Sequence, residues 1–432
     1  MSKLQPISGF PEWLPEQRIV ELEILDEIRR RFELYGFAPL ETRSVEPVEV
    51  LLSKGETDKE IFALQRLAAD PGADSARLGL HFDLTVPFAR YVVQHYNELT
   101  FPFKRYQIQR SWRGERPQEG RYREFYQADI DVIDRDSLSL HFDAELAVLL
   151  HETLTALPIP PVTLRLNNRK VTEGYLRATG VDDPVPLMRI LDKLDKVGPA
   201  AVAEMLAEAG ASEAQANAAL ELVGLPRQGR GVVDAIRRLG RSHPMLDEGL
   251  EELDFVLGEL TAEAVVADMS VVRGFDYYTG TVYEGTMEGH EDLGAVCSGG
   301  RYENLAAGAR APLPGVGSSI GVSRILARLF ARELLSVGAK TPTVVLVALP
   351  REELRSRVAS IVRSLRERGI AAEGFHEPLK YDKQLRYADR KRIPYVWFPT
   401  DDGDEVRDMQ SGDQVRAEAD AWTPATPAAA TT

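Results

Sequence analysis

Two hydrophobic periods alternate along this chain of 432 residues. After Pro15, Leu25, Ile28, Phe32 and Tyr35 recur at helical spacing, and Gly36 is placed to stop the helix. Pro39 then opens an extended stretch toward Pro47. From Thr100 to Asp134 the pattern shortens to two, which predicts a pair of strands around the loop "GERPQEG". Taken as a strand, "RYREFYQADIDVID" turns Tyr122, Tyr126, Ala128, Ile130 and Val132 to one side, an ordinary core face. From about Val171 to Glu259 the helical period returns in Ala-, Leu- and Glu-rich sequence, and strand-like segments resume at "AVVADMSVVRGF". Beyond Thr341, "TVVLVAL" reads as a buried strand. The segment "EELRSRVASIVRSLRERGI" carries Leu354, Val358, Ile361, Val362 and Leu365 on one helical face, so a small α/β domain is expected there.

Composition adds bounds. A hydrophobic content of 44% with 28% charged residues is that of an ordinary globular chain, and its length suggests roughly three domains. The single cysteine, Cys297, excludes an internal disulfide framework and reads as a small core residue. The N-terminus lacks the apolar core of a signal peptide, and no run approaches the ~20 apolar residues of a membrane span. A cytoplasmic protein with no membrane partner is expected. Net charge is −15, which argues against indiscriminate nucleic-acid binding. Charge is nevertheless concentrated locally: between Phe103 and Glu124, seven Lys or Arg stand against three acids. A cationic site in an acidic protein points to an anionic ligand in a defined pocket.

The second face of the predicted strand supplies the chemistry. Arg121 and Arg123, then Phe125, then Gln127, Asp129 and Asp131 follow one another as cations, ring and acids. A solvated sheet face with cross-strand ion pairs would interleave its charges rather than segregate them. In a hairpin, Arg113 joins the Arg121 end. Converging guanidiniums match a polyphosphate, and Phe125 is placed to stack on a base. There is no GxxxxGK[ST], so the phosphates are not cradled by a P-loop. Asp83 and Thr85 in "HFDLTVPFARY" suit an ammonium group or, equally, a helix cap. The helix opening in "GVGSSIGVSRILARLF" carries Arg324 near its start. In "VVRGFDYYTGTVYEG" the glycines suit close approach of a ligand, or a hairpin that satisfies itself.

Together these stretches resemble a known family. "FKRYQIQRSWRGERPQEGRYREFYQADIDVI" and "GVGSSIGVSRILARL" are similar to motifs 2 and 3 of the class II aminoacyl-tRNA synthetases. "VVRGFDYYTGTVYEG", "CSGGRYENL", "DLTVPFARY", "LRLNNRK" and "DKLDKVG" resemble signatures of the histidyl-tRNA synthetase family, with motif 1 near "EPVEV" departing furthest. The resemblance implies an α+β catalytic core with an antiparallel sheet, from residues 1–170 and 260–335. It also implies an α/β anticodon-binding domain at 341–422, while the return of strand-like segments makes 171–259 a helical insertion and the low-complexity "TPATPAAATT" makes 423–432 a disordered tail. The resemblance implies activation of L-histidine by ATP, accompanied by Mg2+, transfer to histidine tRNA, a homodimer, and no protein-bound metal.

On this chain the family pattern assigns Asp83 and Thr85 to the amino group of histidine and Gln127 and Arg273 to its carboxylate. Asp131, Tyr277 and Tyr278 fall to the imidazole. Arg113 is implied for the α-phosphate, Arg121 and Arg324 for the distal phosphates, Phe125 for adenine and Glu115 beside it. Arg113 and Arg273 would carry the catalysis. Arg116 and Gln118 would face the acceptor end of the tRNA, and the basic stretch "KYDKQLRYADRKR" would contact the same molecule. Aspartate at positions 83 and 131 is the pattern of the eukaryotic and archaeal branch rather than the bacterial one. The competing reading is a non-catalytic, histidine-binding regulatory subunit of ATP phosphoribosyltransferase. That reading is disfavoured by the retained arginines and the C-terminal domain.

Overall fold

The structure is a computed structural model that describes residues 5–52, 60–66, 77–260, 265–272, 278–303, 312–335 and 337–425. Arg273 and Tyr277 lie outside the described residues, as does the tail from residue 426. The chain divides into two compact units. One comprises Leu25–Leu334 with the residues up to Pro11, and the other runs from Leu335 onward with Glu12–Ile24. The helix expected after Pro15 spans Pro15–Leu34 and ends two residues before Gly36.

The first unit is built on an eight-stranded sheet. In chain order its strands are β1 (Ala38–Pro39), β2 (Phe103–Trp112), β3 (Glu124–Ile133), β4 (Val162–Asn168), β5 (Val265–Ala267), β6 (Tyr278–Met287), β7 (Cys297–Tyr302) and β8 (Gly315–Ile320). They lie in the order β1-β2-β3-β8-β7-β6-β4-β5, antiparallel throughout except for the two edge pairs. The predicted hairpin is β2 and β3, paired from Phe103↔Ile133 to Trp112↔Glu124 around the loop.

Because side chains alternate, this register decides what each face holds. Tyr106↔Ile130 and Ile108↔Ala128 meet on the apolar side. That side of the sheet is covered by the helix His141–Thr155, whose Leu146, Leu149 and Leu150 are buried. Each such side chain contributes about 1.5–3 kcal/mol on leaving water. Arg301 fastens the helix to β7, with Nε and Nη2 on the Asp143 carboxylate at 2.6–3.1 Å and further bonds to the Leu138 and Ser139 carbonyls. β7 carries a register irregularity against β6 between Gly300 and Tyr302.

A run of helices from Arg169 to Glu259 follows β4. Its core joins Leu191, Val202 and Leu206 to Leu176 and Val272, so it is packed within the first unit.

The second unit carries a five-stranded sheet of its own. Residues 345–347, 372–374 and 395–398 run parallel, and 405–408 and 414–416 continue it antiparallel. The helix Arg355–Glu367 buries Val358, Ile361, Val362 and Leu365 against this sheet, on the face its spacing predicted, and Leu354, just before the helix, is half-buried beside them. Trp397 is fully buried at the centre.

Candidate active site

The polar face of the β2–β3 hairpin continues across β8 and β7 and forms the floor of a cleft of about 350 Å3. Here Arg105↔Asp131, Gln107↔Asp129 and Gln109↔Gln127 face each other across the ladder, and all six are buried or half-buried. Polar groups removed from water must find partners, so this face is a dense network. Gln107 donates to Thr42 and Gln109, and Gln109 donates to the Thr42 carbonyl.

Cations gather at one end. Arg113, at the end of β2, gives Nε to the Phe82 carbonyl at 2.9 Å, and its guanidinium carbon lies 5.1 Å from the centre of the Phe125 ring. Arg121 lies exposed in the loop. Arg324, on the first turn of Val322–Ala331, reaches back to the Gly120 and Ala295 carbonyls. Half-buried Glu115 completes this end.

Acids and phenols occupy the other end. Asp131 binds Arg105 at 2.6 Å through Oδ2 and accepts from the Tyr302 hydroxyl at 2.8 Å through Oδ1. Arg105 in turn lies over the Phe88 ring, 4.1 Å from its centre. Tyr278 is the first residue of β6 and lines the same wall. Asp83 and Thr85 sit at the start of the helix Thr85–Gln94, where Asp83 accepts the Val86 N–H at 3.0 Å; the cap reading and a place in the cleft both hold.

Gln127 gives Nε2 to Ser319 at 2.9 Å, so the end it presents is its carbonyl. Burial pushes the Asp129 carboxyl up to about 7, against the pull of Arg105. Burial also pushes the Cys297 thiol up to about 12, in keeping with a packed rather than reactive cysteine.

Two glycines make this floor possible. A Cβ at Gly317 would collide with the Asp131 carboxylate, and one at Gly300 would lie 2.9 Å from the Tyr278 ring. Of the three glycines in "VVRGFDYYTGTVYEG", Gly274 lies outside the described residues and the other two face other neighbours. Gly280 makes room for the Arg301 side chain and Gly285 for the Cys297 sulfur.

The cleft thus brings together Asp83, Thr85, Arg113, Glu115, Arg121, Phe125, Gln127, Asp131, Tyr278 and Arg324. Arg116 and Gln118 are exposed on the hairpin loop, outside the cleft. Gln118 lines a second cavity of about 810 Å3 that shares Arg121 and Arg324 with the first. Sequence reasoning gave no role to Asp129, Tyr302, Ser319 or Arg105. Only Asp129 was marked, by its place on the alternating face of the predicted strand. Among the described residues, no group of three or more His, Cys, Asp or Glu side chains is placed to hold a metal ion.

A model of the family described as "Histidyl-tRNA synthetase" matches residues 9–325. The histidine–tRNA ligase of Thermobifida fusca is 56% identical over 96% of this chain and 97% of its own length. The chain belongs to the histidyl-tRNA synthetase family. It is therefore an aminoacyl-tRNA synthetase, a histidine–tRNA ligase with ATP as a substrate. The crystal structure of histidyl-tRNA synthetase from Nostoc sp. PCC 7120 superimposes with a TM-score of 0.89 at 35% identity, covering 97% of this chain and 98% of that one. A Bacillus halodurans structure described as an ATP phosphoribosyltransferase regulatory subunit/histidyl-tRNA synthetase reaches a TM-score of 0.73 at 20% identity, covering 89% and 96%. That likeness shows the fold alone, and the ligase reading stands over the regulatory one. These relatives are bacterial, a kinship that the aspartates at 83 and 131 did not suggest.

Proposed function

We propose that this histidyl-tRNA synthetase holds histidine at the acidic end of the cleft and ATP at the cationic end. The supporting observation is the segregation along one hairpin: Arg113 beside Phe125 at one end, Asp131 with Tyr302 at the other. Histidine's carboxylate, already ionised, attacks the α-phosphorus of ATP. A carboxylate–phosphorus bond forms, the bond to the bridging oxygen breaks, and pyrophosphate leaves. No protein base is required, and the charge that develops on the phosphorus oxygens is met by Arg113 and by Arg273.

Arg121 and Arg324 meet the distal phosphates of ATP, which arrives as its magnesium complex. Phe125 stacks on adenine, with Glu115 beside it. Asp131, Tyr277 and Tyr278 address the neutral imidazole, while Asp83, Thr85 and Gln127 address the backbone end of the amino acid. A site built to hydrogen-bond ring nitrogens rejects analogues that leave its polar groups unpaired. The 3′-terminal ribose hydroxyl of the tRNA then displaces AMP from the adenylate. Arg116 and Gln118 contact the acceptor end, and residues 341–422 read the anticodon. The helical segment 171–259 is an insertion between the two parts of the catalytic core. A homodimer in the cytoplasm accords with the family; no described helix is long and apolar enough to cross a membrane.

The test is histidine-dependent exchange of pyrophosphate into ATP. Exchange should be present with histidine and near background with other amino acids. Arg113→Ala should slow it by roughly 10²–10³-fold. An unchanged rate in that variant would remove Arg113 from the mechanism.

A further inference from the structure

The floor of the cleft holds more acid than its buried cation answers. Asp129 is influenced by Asp131 from its own strand, by Asp83 from the segment before Thr85–Gln94, and by Arg105 from β2; β8 offers the Ser319 hydroxyl. Arg105 pairs with Asp131 at 2.6 Å, and although its Nε and Nη2 have no hydrogen-bond partner among the described residues, one cation faces two carboxyls here. Asp129 is 4% exposed, yet its Oδ1 has no hydrogen-bond partner among the described residues. Two residues along the strand, the Gln127 Oε1 is likewise buried without a partner. A buried acceptor left unmade costs about 1–3 kcal/mol, and more when charged. Both open atoms accept hydrogen bonds, so each calls for a donor, and beside the Asp129 carboxylate a cationic donor is favoured over a neutral one. At neutral pH an amino acid with a neutral ring offers one such group, its ammonium, with three N–H donors.

We propose that Asp129, together with the Gln127 carbonyl, receives the α-ammonium group of the bound amino acid and is a substrate-binding residue. This rests on reading the cleft as the histidine site, and it places Gln127 at the amino rather than the carboxylate group. Asp83 shares the ammonium, since one of its oxygens is engaged by the Val86 N–H. Binding then has a proton linkage. Burial pushes the Asp129 carboxyl up to about 7, and an arriving ammonium favours its ionised form. Below pH 7 the ligand must expel a proton, so histidine binds more tightly as pH rises through 7.

The experiment is pyrophosphate exchange and direct ligand titration with the full chain. Asp129→Asn should raise the histidine KM about tenfold or more while leaving the ATP KM unchanged. The fall in histidine KM between pH 6 and 8 should shrink to the part owed to the substrate's own imidazole. Asp129→Glu should restore part of the loss. Imidazolepropionate, which lacks the amino group, should bind Asp129→Asn no worse than the unaltered protein. Equal weakening of histidine and imidazolepropionate would overturn the assignment, as would an unchanged histidine KM and pH profile. Absence of histidine-dependent exchange from the unaltered protein would instead sink the reading of the cleft itself.

Discussion

Asp129 also offers a stability experiment whose sign and size follow from its surroundings. Its carboxyl is raised by burial from 3.8 to about 7. A carboxyl with a raised folded value holds its proton in the native state and loses it in the unfolded one. Folding is therefore penalised progressively between about pH 4 and pH 7, and fully above that. At 1.36 kcal/mol for each tenfold step, the penalty is about 4 kcal/mol. Asp129→Asn removes the titration and keeps the shape. Without ligand, the variant should match the parent near pH 4 and exceed it by up to about 4 kcal/mol at pH 8. Its new amide must find an acceptor, which reduces the gain. The first unit spans roughly three hundred residues, so melting entropy amounts to about 0.6 kcal/mol per degree and the melting temperature should rise by at most about 6 °C. The assay is a set of melting curves at pH 5, 6, 7 and 8. A difference that stays flat with pH, or a variant less stable at pH 8, would refute the reasoning. Saturating histidine should narrow the gap, because only the parent regains a charged partner.

Other consequences can be checked alongside. Gly317→Ala places a methyl group against the Asp131 carboxylate and should loosen its bond to Tyr302. At an overpacking cost of about 1–3 kcal/mol, the histidine KM should rise about tenfold with the ATP KM nearly constant; equal rises for both would count against the floor. On the helix Tyr381–Lys391, Lys383 and Arg390 are exposed, and neither is in an ion pair among the described residues. Reversing both charges to Glu should reduce tRNA charging severalfold and weaken its salt dependence, leaving pyrophosphate exchange intact. Loss of both activities together would remove this helix from tRNA contact.

Much of this was legible before any coordinates. The period of two between Thr100 and Asp134 gave the hairpin, and Arg121, Phe125, Gln127, Asp129 and Asp131 do line one cleft, but Arg121 and Arg123 precede the strand and Arg123 turns to the Glu115 carbonyl instead. Helical spacing in Arg355–Glu367 identified the buried face in the second unit. What stayed hidden depended on partners from distant segments. Spacing puts Asp129 and Asp131 on one face but cannot tell which of them Arg105 neutralises. The glycines illustrate the same limit. A glycine in a strand signals close approach, not of what: Gly280 and Gly285 accommodate Arg301 and Cys297, whereas Gly300 and Gly317 lie beneath the cleft residues.

Arg301 and Tyr302 are neighbours in β7, and alternation sends them to opposite sides of the sheet. One is the rivet between strand and helix; the other is the phenol on Asp131. A slip of this strand by a single step would undo the joint and blunt the pocket at once. Evolution cannot tune the chemistry here by sliding β7; it can only exchange side chains in place, so architecture and selectivity have to drift together.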